Sequence, residues 1–350
     1  MAENENILPQ NNGFLLGQTE AEDIFLRAWK NGALHHAWIL GGPQGIGKAT
    51  LAYRIARFLL WADEKNKSAY FSLHTPENSP IFQQIASSSH PDLKVLERDY
   101  TETDRRKIVG AIRKGEPLSE DELAGLKKSA FIRVDDVRKI NEFLGKTSFN
   151  DGWRVVIIDS ADDMNKSAAN ALLKILEEPP AKTILLLISH NPGALLPTIR
   201  SRCAKLPLHT LKNNDVASLL RRYRPNLSET MIAKLAEMSD GSIGKAIRYA
   251  DYDAVEIYDK LATILYAKRN FSLSKLLDFC NSATSDEEQF SLLQELLLKF
   301  IKENMAECKD AEALYACWQD VRKGFADCAN INMDKRLMLV NMLSAICQVL

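Results

Sequence analysis

Closely spaced cysteines are missing from this sequence. Its six cysteines are Cys203, Cys280, Cys308, Cys317, Cys328 and Cys347, and no two are spaced as Cys-x-x-Cys. Structural zinc sites take closely spaced Cys and His ligands, so we expect no zinc and no other resident metal. Five of the six fall in the last 71 residues. The simplest interpretation is that they are small apolar side chains in helical cores, with no function assigned.

An excess of either charge is also missing, as is any long apolar run. Lys and Arg number 45 and Asp and Glu number 46, for a formal net charge of -1. Proteins that coat nucleic acid alone are usually basic, so any nucleic-acid contact is expected to be local or shared with a partner. The apolar run at residues 184–188 is far shorter than the roughly 20 residues of a membrane span. The polar, acidic start lacks the pattern of a signal peptide, and we expect a cytoplasmic protein.

Apolar patterning indicates an α/β fold in the first part of the chain. Strand-like runs occupy residues 36–41, 93–96, 155–158, 184–189 and 204–208, and helical spacing occurs at 20–30, 48–61, 134–144 and 165–178. Strands and helices that alternate in this way predict a parallel sheet covered by helices on both faces.

Two regions depart from this alternation. Residues 101–128 are charged and poor in apolar side chains, and we interpret them as an insertion or mobile loop whose role the sequence leaves open. After residue 208 the strand patterns stop and apolar residues follow helical spacing. With 350 residues to divide, we predict an α/β domain over 1–208, a small helical domain over 209–253 and a second helical domain over 254–350.

A glycine-rich segment follows the first predicted strand. Residues 42–48 read GPQGIGK and lead into the next predicted helix. Glycines let consecutive backbone N–H groups point into one concavity, and the start of the helix adds partial positive charge. The lysine can reach the β- and γ-phosphates of a nucleotide. The residues predicted to bind the phosphates of ATP are therefore Gly42, Gly45, Gly47 and Lys48.

The residue after this lysine is unusual for such a loop. Phosphate loops place Ser or Thr there, because the hydroxyl binds Mg²⁺. This chain has Ala49, which has no metal-binding group. Thr50 follows, but it lies about 100° further round the helix. We keep Thr50 in the predicted nucleotide site and expect Mg²⁺-dependent hydrolysis to be impaired.

Asp159 ends the third predicted strand, where the Walker B aspartate of ATPases binds Mg²⁺ directly or through water. Active relatives normally place a Glu next, to polarise the attacking water, and here the next residue is Ser160. Asp162 and Asp163 in the following turn are the alternatives for that role. Residues 189–191 end the next strand, either as a sensor of the γ-phosphate or as a plain turn, and the sequence leaves both open.

Several segments, in order along the chain, carry a resemblance to a known family. They read LHHAW (34–38), GGPQGIGK (41–48), HPD (90–92), IRVDDVR (132–138), VVIIDSADDMN (155–165), NALLKILEEPP (170–180) and TIRSRC (198–203). The chain resembles the delta-prime family of clamp-loader subunits of bacterial DNA polymerase III, which are AAA+ proteins. The likeness covers residues 15 to about 250, and the remainder matches only in its helical character.

This resemblance implies a specific architecture and set of partners. The expected fold is a P-loop AAA+ module with a five-stranded parallel sheet, followed by an all-α lid and an all-α collar that joins five subunits in a ring. The expected partners are the gamma/tau and delta subunits, and through the assembly the sliding clamp and primer-template DNA. The expected function is to help load the sliding clamp onto primed DNA, as part of the DNA polymerase holoenzyme.

Arg202 is the residue whose role depends most on the resemblance. It lies in the segment Ser201-Arg202-Cys203, which resembles the motif that delivers an arginine to the ATP site of a neighbouring subunit. A guanidinium there stabilises charge on the transferred phosphoryl group. Without the resemblance, a surface ion pair would be the preferred interpretation of Arg202.

The sequence also departs from the family pattern. Many loader subunits carry four zinc-binding cysteines, and this chain has none in residues 62–92. Ala49 and Ser160 remove the metal hydroxyl and the water-activating carboxylate. Active lids carry an arginine where this chain has Gly244 followed by Lys245. We therefore expect the chain's own ATPase activity to be weak or absent.

Two other functions remain as alternatives. One is a catalytically active ATPase of the gamma/tau type, which the three departures oppose. The other is a different AAA+ protein, such as a helicase loader or remodeller, which the paired segments at 170–180 and 198–203 oppose. The residues that contact DNA are not identified by the sequence. Arg221, Arg222 and Arg224 are candidates, although a solvated helix face accounts for them as well.

Overall fold

The computed structural model describes residues 8–115, 118–119, 122–123, 125–146, 151–267, 272–284, 286–308, 310–331 and 334–350. The chain forms two compact units, residues 1–245 and 246–350. The first contains the α/β fold and the second is helical. The predicted domain boundaries at 208 and 253 stay a prediction. Helices lie on both sides of residue 253, so no change of secondary structure marks that boundary.

The first unit is built on one parallel sheet. Its strands are β1 (Ala37–Gly41), β2 (Leu93–Leu96), β3 (Arg154–Ile158), β4 (Thr183–Ser189) and β5 (Ala204–Pro207). Their spatial order is β2-β3-β4-β1-β5, and every neighbouring pair is parallel. The predicted five-stranded parallel sheet is confirmed.

Helices precede, connect and follow these strands. In chain order they are α1 (Thr19–Lys30), α2 (Lys48–Trp61), α3 (Pro80–Ala86), α4 (Glu102–Lys114), α5 (Val134–Leu144), α6 (Lys166–Glu177), α7 (Pro197–Arg200), α8 (Asn213–Tyr223), α9 (Glu229–Met238) and α10 (Ile243–Asp251). The chain passes into the second unit within α10.

Each face of the sheet has its own apolar core. On one face α1 and α2 contribute Phe25, Trp29, Ile55 and Phe58, among others. On the opposite face the strands pack against residues of α5 and α6. The side chains of β1, β3 and β4 are all buried. Burial on both faces explains why these strands appear in the sequence as continuous apolar runs rather than as alternating patterns.

Part of the charged segment at 101–128 is helical, so its interpretation as a loop is wrong for residues 102–114. Thr101 caps α4 by accepting a hydrogen bond from the Asp104 backbone N–H, and Gly115 ends the helix with a left-handed φ of 78°. Two backbone hydrogen bonds close the segment. The Thr101 N–H donates to Lys127 O, and the Ser129 N–H donates to Asp99 O. Residues 116–117, 120–121 and 124 lie outside the described residues.

The second unit contains only helices in its described residues. They are α11 (Ala254–Tyr266), α12 (Leu273–Ala283), α13 (Glu287–Asn304), α14 (Ala311–Ile331) and α15 (Lys335–Val349). This confirms the helical character predicted for the end of the chain. Within the described part of the molecule, no helix has both the length and the apolarity to cross a membrane.

Most of the cysteines are buried, as predicted for apolar core residues. Cys203, Cys280, Cys317, Cys328 and Cys347 are buried, and Cys308 is partly exposed. Burial raises the pKa of Cys203 to about 12 and that of Cys280 to about 11. These two thiols are therefore protonated at neutral pH, and they behave as small apolar side chains.

Candidate nucleotide site and the Arg202 segment

The glycine-rich loop connects the carboxyl end of β1 to the start of α2. Gly42, Gly45 and Gly47 have φ values of 148°, 77° and 98°. These values lie in a region that other residues rarely adopt. A Cβ at Gly42 would also lie 2.5 Å from the Leu208 carbonyl oxygen. The helix begins after Gly47 without a side-chain cap, so its first backbone N–H groups are available to an anion.

Lys48 is buried and contacts its own loop. Its side chain is only 3% exposed, and Nζ donates to the carbonyl oxygens of Gly42 (2.7 Å) and Pro43. Burial lowers the pKa of Lys48 to about 8, although the carboxylates of Asp159 and Asp162 oppose the shift. The ammonium is therefore satisfied by carbonyls at the position where a phosphate would compete for it.

Asp159 lies beyond the tip of β3, at the same edge of the sheet as the glycine-rich loop. Its backbone N–H donates to Leu96 O at 2.8 Å. Burial, and then repulsion by Glu97, raise the pKa of Asp159, while Lys48 lowers it. The predicted Walker B aspartate and the loop lysine are thus close enough for the charge of each to shift the pKa of the other.

Asp162 links the ends of two neighbouring strands. Its carboxylate accepts hydrogen bonds from the hydroxyls of Ser189 (2.8 Å) and Ser160 (3.0 Å). It also accepts from the backbone N–H groups of His190 and Asn191. Burial alone would raise the pKa of Asp162, but these hydrogen bonds lower it below its usual value. A carboxylate that accepts this many hydrogen bonds is a poor general base, because they stabilise its charged form. Asp162 instead holds the ends of the two strands together.

The start of α10 packs directly against the glycine-rich loop. Ser242 Oγ donates to Gln44 O at 2.9 Å, and Gly244 N donates to Gly45 O at 2.9 Å. A Cβ at Gly244 would lie 2.8 Å from the Gly45 Cα. The sequence marked Gly244 as the loss of an arginine. The structure adds that this glycine is required by the close approach of two backbones, which no single-sequence pattern could reveal.

These residues fit the phosphates of a nucleotide better than a metal ion. The uncapped start of α2, the left-handed glycines and Lys48 are the groups that a phosphate loop offers to an anion. Ala49 supplies no hydroxyl for Mg²⁺. Thr50, one position further, is partly buried on α2. Among the residues that the structure describes, no group of three or more His, Cys, Asp or Glu side chains is arranged to hold a metal ion.

Arg202 lies at the amino end of the strands, whereas this site lies at their carboxyl end. It comes just before β5, whereas Gly42 follows β1, and these two strands are parallel neighbours. Five residues of a strand span roughly 15 Å, which is longer than an arginine side chain. Its guanidinium contacts Glu177 (3.0 Å), the carbonyl oxygen of Thr198 (3.1 Å) and the hydroxyl of Ser201 (3.4 Å). Arg202 does not join the nucleotide-site residues of its own chain.

The three other candidate arginines make intrachain contacts. Arg221 forms a bidentate ion pair with Glu229, with N–O distances of 2.9 and 2.8 Å. Arg222 stacks on the ring of Phe14 at 4.5 Å. Arg224 is 7% exposed. These contacts favour structural roles over DNA contact.

A parallel sheet with a glycine-rich loop after β1 and an aspartate after β3 defines the P-loop class of proteins. A family model described as "DNA polymerase III, delta subunit" matches residues 17–212. The match covers more than half of the chain, and the protein belongs to this family.

Individual relatives agree with this assignment. The chain is 34% identical over 258 residues to DNA polymerase III subunit delta' of Pseudomonas aeruginosa, covering 71% of this chain and 66% of the relative. It is 25% identical over 288 residues to subunit delta' of Bacillus subtilis, covering 82% and 72%. It is also 25% identical over 248 residues to subunit gamma of Buchnera aphidicola, covering 70% and 58%. The chain thus matches less than two thirds of the Pseudomonas and Buchnera relatives.

Among solved structures, a gamma subunit-related protein of Thermotoga maritima shares 17% identity with a TM-score of 0.42, covering 93% of this chain and 99% of that one. The RuvB Holliday junction branch migration motor of the same organism shares 18% identity with a TM-score of 0.43, covering 94% and 87%.

The close approach of Gly244 to the loop predicts that even a methyl group there is destabilising. We expect Gly244→Ala to lower the free energy of unfolding by about 1–3 kcal/mol, because the loop must shift to admit the new carbon. Gly110→Ala is the control, since a Cβ there meets nothing within 4 Å; as a glycine inside a helix, its replacement should stabilise by about 0.5–1 kcal/mol. Urea denaturation followed by circular dichroism measures both. Equal changes in the free energy of unfolding for the two variants would contradict the close approach of Gly244 to the loop.

The buried lysine predicts a pH-dependent contribution to stability. The pKa of Lys48 is about 8 in the folded chain, against about 10.4 for a lysine in an unfolded one. Between these values the unfolded chain binds more protons, so stability rises with pH. We expect wild type to gain stability relative to Lys48→Met from about pH 8 to pH 10, as measured by urea denaturation. A difference that stays constant with pH would contradict the lowered pKa.

Proposed function

We propose that this protein is a subunit of the DNA polymerase III clamp loader that helps load the sliding clamp onto primed DNA. In this role its own ATP site is degenerate and Arg202 acts on the ATP of a neighbouring subunit. The observation that carries the proposal is the position of Arg202, at the sheet edge opposite to its own phosphate loop. Family membership supplies the assembly in which such an arginine has a function.

The trans role follows from the chemistry of phosphoryl transfer. Negative charge on the transferred group is stabilised by positive groups fixed in position before the reaction. An arginine supplied by a neighbouring subunit can accelerate such a reaction by roughly 10³–10⁵-fold. Arg202 lies two residues after the short helix α7, whose Ile199 is fully buried, and the adjacent Cys203 is buried as well. The backbone that would present the guanidinium is therefore anchored on both sides.

The chain's own site is proposed to hold nucleotide weakly and to hydrolyse it poorly. Gly42, Gly45, Gly47 and Lys48 would hold the phosphates through backbone N–H groups and the ammonium, with Thr50 and Asp159 beside them. A bound ATP would supply the negative charge that draws Lys48 away from its loop carbonyls. Three observations support poor hydrolysis: Ala49 lacks a hydroxyl, Ser160 replaces the expected carboxylate, and Asp162 is occupied by four donors.

The remaining assignments belong to the same proposal. Residues 209–253 would act as the lid over the loop, and residues 254–350 as the collar that joins the pentamer. The partners would be the gamma/tau and delta subunits, and through them the sliding clamp and primer-template DNA in the cytoplasm. The lid assignment is supported by the hydrogen bonds from Ser242 and Gly244 to the loop.

A catalytically active ATPase of the gamma/tau type is the alternative, because the chain is 25% identical to a gamma subunit over 248 residues. The three departures from the pattern of active relatives, at Ala49, Ser160 and Gly244, count against it. The two functions differ in what the isolated chain does with ATP and Mg²⁺.

The purified chain alone is expected to hydrolyse ATP at background rate, because it lacks the metal hydroxyl and the water-activating carboxylate. Phosphate release in the presence of Mg²⁺ measures this, with Lys48→Ala as the control that reports contaminating activity. A wild-type rate well above that of Lys48→Ala would favour the gamma/tau alternative.

Replacing the proposed finger is expected to impair a neighbouring site. In a loader reconstituted with its gamma/tau and delta partners, Arg202→Ala should slow hydrolysis at the one site it serves by roughly 10³-fold or more. The total ATPase rate stimulated by clamp and DNA should fall by the fraction that this site contributes. Sedimentation should still show an intact pentamer. Arg200→Ala, two residues earlier, is the matched control. Equal rates for the two variants would show that Arg202 is not a finger.

A further inference from the structure

We propose that Glu177 is the positioning residue of the arginine finger: its carboxylate holds the Arg202 guanidinium in place before the neighbouring subunit arrives. This inference rests on the proposed function, because it assigns Glu177 a role through Arg202. Nothing in the sequence separated Glu177 from the adjacent Glu178 in the run Glu177-Glu178-Pro179-Pro180. The structure separates them, since an N–O distance of 3.0 Å joins Glu177 to Arg202.

The backbone that carries Glu177 is fixed. Glu177 is the last residue of α6, and Leu176 beside it is 2% exposed. The Leu176 carbonyl oxygen lies 3.0 Å from His36 Nε2, just before β1. The end of α6 is therefore tied to the amino edge of the sheet, which is also the edge where Arg202 precedes β5. Two anchored backbones bring the carboxylate and the guanidinium together.

The guanidinium is held from two sides. One terminal nitrogen pairs with the Glu177 carboxylate, and the other donates to the carbonyl oxygen of Thr198 at 3.1 Å and to Ser201 Oγ at 3.4 Å. Contacts in two directions define the plane of the group, whereas the Thr198 carbonyl alone would leave it free to turn. An ordered side chain loses less conformational entropy when it engages a ligand, which is the advantage of a preorganised site.

The pair is too exposed to have a large effect on folding. Arg202 and Glu177 are 37% and 52% exposed, and ion pairs in this range contribute little to stability. Removing the carboxylate should therefore leave the melting temperature unchanged and alter only the order of the arginine. Glu178 is the matched control, because it is exposed and forms no ion pair among the contacts of the described residues.

The first test uses the isolated chain and does not depend on any partner. Heteronuclear NOE values of the ¹⁵N-labelled arginine Nε–H groups report the order of Arg202, assigned by its loss in Arg202→Lys. Wild type and Glu178→Gln should both give values close to those of the ordered backbone. Glu177→Gln should give a value typical of a mobile side chain. An Arg202 signal equally ordered, or equally mobile, in all three proteins would overturn the inference.

The second test measures steady-state ATPase in the reconstituted loader. We expect Glu177→Gln to slow hydrolysis at the one site that Arg202 serves by about three- to tenfold with KM unchanged, because the arginine reaches the phosphate from a less ordered state. The total ATPase rate should therefore fall by no more than it does in Arg202→Ala. In the Arg202→Ala background the same change should have no further effect, since residues that act through one another are not additive. An unchanged or higher kcat for Glu177→Gln, or an additive loss in the double variant, would overturn the inference.

The same data separate failure of this inference from failure of the proposed function. If Arg202→Ala leaves the rate unchanged, the finger assignment fails, and the role of Glu177 fails with it. If Arg202→Ala lowers the rate while Glu177→Gln behaves like Glu178→Gln, the finger stands and only the role of Glu177 is wrong.

Discussion

The parallel direction of the five strands is the constraint on which the rest of the molecule depends. Because every strand runs the same way, the sheet has one edge where all strands end and one where all begin. The phosphate loop and Asp159 follow strands and share the first edge, while Arg202 precedes a strand and lies at the second. The residues predicted to bind nucleotide and Arg202 are thus kept apart by topology. That separation suits the role proposed for Arg202 at the site of a neighbouring subunit.

At the carboxyl edge, contacts within the protein occupy groups that a nucleotide would otherwise engage. Loop carbonyls satisfy Lys48, donors surround Asp162, and Ser242 and Gly244 close over the loop. Each contact gives one of these groups a fixed partner within the protein. The same close packing requires glycine at 244, where an active lid would carry an arginine. Loss of that arginine and tight closure are therefore two aspects of one arrangement.

Several features could be predicted from the sequence because their causes are local. The β-branched run before Asp159 and the segment GPQGIGK predicted both motifs, since strand burial and glycine conformations act over a few residues. The helix at 102–114 was missed because its apolar content is low. Its capping residue Thr101 and its ending Gly115 were the available signals. The interpretation of residues 101–128 as a loop relied on composition, and local hydrogen bonding decided otherwise.

The sequence by itself determined the order of the five strands, the glycine-rich loop predicted to bind phosphate and the residues that depart from the pattern of active sites. These follow from residue types and their spacing. Only the tertiary structure decided which side chains meet across the chain: Asp162 with Ser189 and His190, Gly244 with Gly45, and Glu177 with Arg202. Such pairs join residues far apart in sequence, so no periodicity records them. They exist because the parallel sheet brings separate loops to a common edge.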